Sequence, residues 1–185
     1  MPPQRRDPRI FLHTGYIVAV FASPHACVSN ADRPSEAILK SMSVRVLIID
    51  DSPVMRRILE GALRHSGLDL AEVLHAANGM EGLAALENSA TEDRPLDLIL
   101  CDVHMPQMNG LDFLLEKQRR NLAPRAPLAM ITADASDPQV LKAVAAGAQG
   151  AITKPFTLKQ IQKCVASLLL PTNGPAPSAT GDAHE

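Results

Sequence analysis

The chain of 185 residues has no tryptophan, one tyrosine and four phenylalanines, so any core it forms must be aliphatic. It has only three cysteines, Cys27, Cys101 and Cys164. They are odd in number and far apart, which excludes a disulfide framework and metal-ligand spacing and points to a reducing compartment, the cytoplasm. The chain also lacks an excess of positive charge: its formal net charge is -2. A nucleic-acid binder wants a basic domain, so nucleic acid is not an expected partner. The apolar run of the N-terminal segment, Ile17 to Ala22, falls far short of the roughly 20 residues that cross a bilayer, and no membrane partner is expected. No G-x-x-x-x-G-K-[ST] stretch exists, which excludes a P-loop nucleotide site.

What is present suits one domain with extensions. Hydrophobic residues make up 46% of the chain, enough for a core. Residues 1–43 stand apart, with Pro2, Pro3, Pro8, Pro24 and Pro34. Arg5 and Arg6 before Ile10-Phe11-Leu12 and Tyr16 to Ala22 faintly resemble an export signal, but His13-Thr14-Gly15 interrupt the apolar region. The segment reads as a disordered extension, with Met42 as an alternative natural start. Residues 44–170 read as the folded domain. Residues 171–185, rich in Pro, Ala, Gly and Ser, read as a disordered tail. No second folded domain is expected after Leu170.

Inside the domain, apolar runs alternate with helical periodicity. Val44 to Ile49 is apolar on both faces, apart from Arg45, and suits a strand of a parallel sheet. It ends in Asp50-Asp51; Ser52 then supplies an N-cap and Pro53 a first helical residue. Val54, Ile58 and Ala62 recur beside Met55, Leu59 and Leu63 at helical spacing. Further strands are predicted at Leu70 to Ala77, Leu96 to Asp102, Pro127 to Thr132 and Gln149 to Thr153. Helix starts follow at Asn78 with Glu81, after Asn109-Gly110, at Ser136 with Gln139, and at Thr157 with Gln160. Gly147 is placed to end the fourth helix and Pro171 to stop the fifth. Five strands alternating with five helices argue for an α/β parallel sheet.

Such a sheet gathers its strand C-termini on one edge, where ligands bind. That edge would hold Asp50, Asp51, Asp102, Thr132 and the region of Lys154. Each has a plain reading alone: a solvated turn, a loop acid, a β-branched strand end, a surface lysine. Together they form a set able to bind Mg²⁺ and a phosphoryl group, since clustered carboxylates favour a divalent cation and a carboxylate can act as a phosphoryl nucleophile.

Asp50-Asp51, Asp102 with Met105-Pro106 and Gly110, Thr132-Ala133, and Lys154-Pro155-Phe156 resemble the receiver domain of two-component response regulators. Asp51 to Leu59 resembles the CheY-like single-domain type in particular. The resemblance covers about Val44 to Leu170. It implies a (βα)5 flavodoxin-like, doubly wound sheet with strand order 2-1-3-4-5. It implies phosphorelay signalling: Asp102 as phosphoacceptor, Thr132 and Lys154 as phosphoryl ligands, and Mg²⁺ held by Asp51, Asp102 and the His104 backbone carbonyl, with Asp50 acting largely through water. The Lys154-Pro155 bond would be cis. The implied partners are a sensor histidine kinase or histidine phosphotransfer protein and a downstream protein target. The chain would not be an enzyme beyond its own phosphorylation and dephosphorylation.

The alternatives are a docking module that takes no phosphate, or a Mg²⁺-dependent Asp-nucleophile phosphatase. The latter would want an Asp where His104 stands. Four positions depart from the family: Ala151 stands where an aromatic is usual, His104 and Asp134 flank the approach of hydrolytic water, and Asn109 stands where Asp is common. Alanine cannot perform the aromatic's rotation, so a switch in this chain is expected to run through Thr132 and the Ala133-to-Ser136 loop.

Overall fold

The structure, a computed structural model, describes residues 43–169 together with the backbone of Leu12–His13 and Tyr16–Ile17. The expected extension and tail therefore fall almost wholly outside the described residues. The two short N-terminal segments pair antiparallel, Leu12 opposite Ile17.

The domain runs β1 (Ser43–Ile49), α1 (Pro53–Arg64), β2 (Asp69–Ala76), α2 (Gly79–Thr91), β3 (Leu98–Asp102), α3 (Gly110–Arg119), β4 (Leu128–Thr132), α4 (Pro138–Ala145), β5 (Gly150–Thr153) and α5 (Leu158–Leu169). The five strands are all parallel, in the order β2-β1-β3-β4-β5. This is the expected doubly wound sheet, and each strand boundary falls within two residues of its prediction.

Alternation along the strands divides the core in two. Leu47 and Ile49 of β1 face a layer containing Leu83 and Leu86 of α2, Phe113 and Leu114 of α3, and Val140 and Val144 of α4. Val46 and Ile48 face Leu59 and Leu63 of α1 and Ile161 and Val165 of α5. A period of two in the side chains puts neighbours in sequence on opposite faces. The largely apolar interior strands β1, β3 and β4 suit a sheet covered on both sides, while the edge strand β2 carries Asp69, Glu72 and His75.

One sequence reading needs correction. Helix α4 is capped by Asp137, not Ser136: the Asp137 side chain accepts from the Gln139 amide and Pro138 opens the helix. Proline at the first helical position needs no N–H partner there, and it drives the preceding residue to extended backbone, the geometry of a cap. Ser136 instead turns its hydroxyl and amide to Asp134 Oδ1, at 2.7 and 2.8 Å. In α1 the apolar stripe is wider than the core it meets. Leu59 and Leu63 are buried, but Val54 and Ile58 are 64% and 50% exposed. The other caps are as expected: Asn78 with Glu81, Asn109 with Asp112, and Thr157 with Gln160. Gly147, at φ +105°, follows the end of α4.

Two cations lie inside the fold away from the strand tips. Arg45 binds Glu72 through Nε at 2.9 Å, the Ser89 hydroxyl and the Pro95 carbonyl, while its amide donates to Asp97 Oδ2 at 2.8 Å. Lys117 lies on the core-facing stripe of α3, seven residues after Gly110. It is only 6% exposed. Its ammonium donates to the Ala123 carbonyl at 3.0 Å beside a cavity of about 180 Å³. Burial depresses its pKa. The native state therefore binds fewer protons than the unfolded chain between that lowered value and the ordinary one, so the penalty of the buried charge is full at neutral pH and fades as pH rises through this window. Lys117→Met should raise stability at pH 7 by roughly 1 kcal/mol or more. Denaturant titrations from pH 7 to 10.5 should show that advantage shrinking with pH; a variant less stable than wild type at pH 7 would contradict the assignment.

Candidate functional site

Strands β1, β3, β4 and β5 deliver their last residues to one sheet edge. Asp50 follows β1, Asp102 ends β3, Thr132 ends β4 and Lys154 follows β5. Asp50 is 1%, Asp102 8% and Thr132 1% exposed. The Lys154 ammonium donates to Asp50 Oδ2 at 2.9 Å and to Asp102 Oδ1 at 2.8 Å. Residues 104 and 52 positions apart in sequence from that lysine thus meet at one cation. The Lys154-Pro155 peptide is cis, as expected. The Lys154 amide also donates to the Thr132 carbonyl at 2.6 Å, which ties β5 to β4 at the tip.

Each acid is fixed by its own loop. Asp50 Oδ1 accepts the Ser52 amide at 2.9 Å, and its carbonyl accepts from Arg56 at 2.6 Å. Arg56 went unnoticed in the sequence because it lies among other polar residues of α1. Behind Asp102, Gly110 opens α3 with its amide on the Val103 carbonyl at 2.9 Å. A Cβ on Gly110 would strike the Asp102 carbonyl oxygen and come within 2.7 Å of Met130 Cε. Glycine there lets a helix start directly against the strand that carries Asp102.

Electrostatics at this edge are divided. Burial pushes the Asp102 carboxyl up, Lys154 pulls it down through its hydrogen bond and charge, and the negative charges of Asp50 and Asp51 push it up again; the net direction is up. Burial works against the Lys154 ammonium, but its bonds to Asp102 and Asp50 outweigh this and its pKa rises. An ion pair alone would lower the acid while raising the base. The asymmetry arises because one ammonium faces several carboxylates in a dry site. Neighbouring Cys101 is buried, and desolvation first, then Asp102 and Asp50, hold its thiol neutral.

The other expected residues are distributed as follows. The Thr132 hydroxyl donates to the Asp134 carbonyl at 2.9 Å and accepts from the Asp134 amide at 3.1 Å, so it faces the loop rather than the acids. Asp51 is exposed, at the mouth of the site. The His104 ring turns away to Asp137, with Nε2 and Oδ2 2.5 Å apart. Ala151 is buried in β5, opposite Met130. Among the described residues, no three His, Cys, Asp or Glu side chains stand close enough to cage a metal by themselves. The donors that line the edge are nonetheless hard oxygens, and the protein already lodges its own cation between Asp50 and Asp102. Mg²⁺ needs only one or two carboxylates beside carbonyl and water, so the residues present fit it.

Fold and site together define an open-sheet α/β domain with an acidic, lysine-bridged carboxyl edge. A model of the response regulator receiver domain matches residues 46–166. The chain belongs to that family and is a CheY-like receiver domain of two-component signal transduction. It is 34% identical over 130 residues to the chemotaxis protein CheY1 of Helicobacter pylori, covering 70% of this chain and 99% of that relative. It is 34% identical over 128 residues to CheY-3 of Vibrio cholerae, covering 69% and 92%. Among solved structures it is similar to Vibrio cholerae CheY4, at 30% identity and TM-score 0.58 over 69% of this chain and all of that one. It is also similar to Borrelia burgdorferi CheY in a complex with CheX, BeF3 and magnesium, at 25% identity and TM-score 0.60 over 69% and 90%. Among the described residues, no helix is long and apolar enough to cross a membrane.

Replacing Asp102 tests the electrostatics directly. Because its folded pKa is raised, ionised Asp102 is disfavoured in the native state; this penalty is full above the raised value and vanishes as pH falls through it towards 3.8. Asp102→Asn should therefore be more stable than wild type at pH 7. The difference, followed by urea titration, should close as the pH is lowered to about 4, and a gap that widens on acidification would refute it.

Proposed function

We propose that the chain accepts a phosphoryl group on Asp102 from a sensor histidine kinase or histidine phosphotransfer protein and signals through protein contact. The observation that carries this reading is the bridge of Lys154 between Asp50 and Asp102. Lys154 engages Asp102 Oδ1 and leaves Oδ2 as the attacking oxygen. As the Oδ2–P bond forms, the bond from phosphorus to the donor's imidazole nitrogen breaks, and the nitrogen keeps the electron pair. The Lys154 ammonium already lies against the acceptor carboxylate, where it can pair with a phosphoryl oxygen. The Thr132 hydroxyl serves a second oxygen by turning inward from Asp134.

Mg²⁺ would be held by Asp51, Asp102 and the His104 carbonyl, with Asp50 acting through water; when bound it supplies neutralising charge for the transferring group. An Asp-nucleophile phosphatase would need an acid–base group two residues beyond Asp102, and the His104 ring there is committed to Asp137. Ile58 and Leu158 stand exposed at a groove of about 380 Å³ between α1 and the start of α5, and Val54 is exposed one turn earlier on α1. These exposed apolar side chains, on the helix that follows Asp50 and Asp51 and at the start of α5, offer a surface for the donor protein.

With Mg²⁺ and acetyl phosphate, mass spectrometry should map one base-labile acyl phosphate to Asp102, and Asp102→Asn should abolish it. Phosphate at another residue, or none on a folded protein, would favour a docking module that takes no phosphate. Ile58→Glu should slow transfer from a cognate kinase at least tenfold and leave labelling by acetyl phosphate unchanged. Equal loss with both donors would rule out a docking role for that strip.

A further inference from the structure

The pocket residues account for Asp50, Asp102, Thr132 and Lys154, but not for the contact between His104 and Asp137. Asp137 holds two partners with two different oxygens. Its Oδ1 accepts the Gln139 amide at 2.8 Å and caps α4. Its Oδ2 lies 2.5 Å from Nε2 of His104, two residues beyond Asp102. The Asp137 backbone carbonyl also accepts the Val140 amide at 3.0 Å. Asp134, the other residue expected near the phosphoryl's outer side, is folded back on Ser136. Among the described residues, no other side-chain hydrogen bond joins the loop 103–109 to residues 133–141.

We infer that Asp137 is a positioning residue that links the loop carrying His104 to the first turn of α4, so that a change at Asp102 is passed to that helix through one carboxylate. This rests on the phosphoacceptor reading of Asp102. A side chain shared between two elements forces a compromise whenever one of them moves. Displacing the His104 backbone pulls Oδ2, and Oδ1 is the cap of α4. The other connection, from Thr132 to Asp134, ends inside the loop and does not reach a helical amide. Ala151 leaves the switch without an aromatic side chain to rotate, so the carboxylate link is the element that spans the gap. A ligand at Asp102 shifts α4 only through contacts that differ between two states, and the His104–Asp137 pair is such a contact.

The test compares wild type, His104→Ala, Asp137→Ser and the double variant. Serine keeps an N-cap oxygen but cannot reach His104, so the helix start survives while the link is lost. With Mg²⁺ and beryllofluoride, amide resonances should shift in wild type at Asp102 and Val103 and through residues 139–145. In each single variant the shifts at Asp102 and Val103 should persist, those in 139–145 should fall by at least half, and the double variant should lose no more than either single one. Undiminished α4 shifts in both singles, or losses that add, would overturn the link. Absence of any shift at Asp102 in wild type would count against the phosphoacceptor reading alone, because the link is also read without ligand. Amide hydrogen exchange at Gln139 and Val140 should be several-fold faster in His104→Ala than in wild type, and unchanged exchange there would overturn it.

Discussion

A single ammonium lets this sheet end in acid. Asp50 and Asp102 are both buried, and two carboxylates so placed repel one another and lose their hydration. Lys154, bonded to both, offsets that cost without leaving either acid as an uncompensated charge. Because β1, β3 and β5 are parallel and end at the same edge, residues 104 and 52 positions away from Lys154 reach its one nitrogen. Removing the lysine's partners, or satisfying them by another cation, frees it for a different anion. The resting state of this edge is thus set by one cation shared between two buried acids.

Much of this architecture was legible because the chemistry-bearing residues punctuate apolar runs. Asp50, Asp102 and Thr132 each close a buried aliphatic stretch, and an apolar run covered on both faces has few readings other than an interior parallel strand. The caps at Asn78, Asn109 and Thr157 were legible for a similar reason, since each precedes a helical pattern and carries an acidic or amide partner three residues on.

The misses have local causes. Ser136 with Gln139 matches a capping box by pattern, yet Pro138 fixes the helix start one residue later. The exposure of Val54 and Ile58 is not legible either, because periodicity marks the apolar face of α1 but not how wide a neighbour covers it. Arg45 and Lys117 are charges inside buried patterns. Their partners, Glu72, Pro95 and Ala123, come from strand and loop geometry that no spacing encodes. The direction of the Thr132 hydroxyl and of the His104 ring is likewise a tertiary fact.

The two ends of the sheet are built for different mechanical duties. At the strand beginnings, Arg45 ties β1 to β2, to the end of α2 and to the segment entering β3, through bonds that have no reason to exchange during signalling. At the strand tips, Lys154, Thr132 and His104 bind acids and loop backbone at the open edge of the sheet. The domain is thus a cantilever. Arg45 is its wall mounting, the stiff aliphatic strands are its beam, and the compliance lies at the far end, where a small change in load produces the largest deflection.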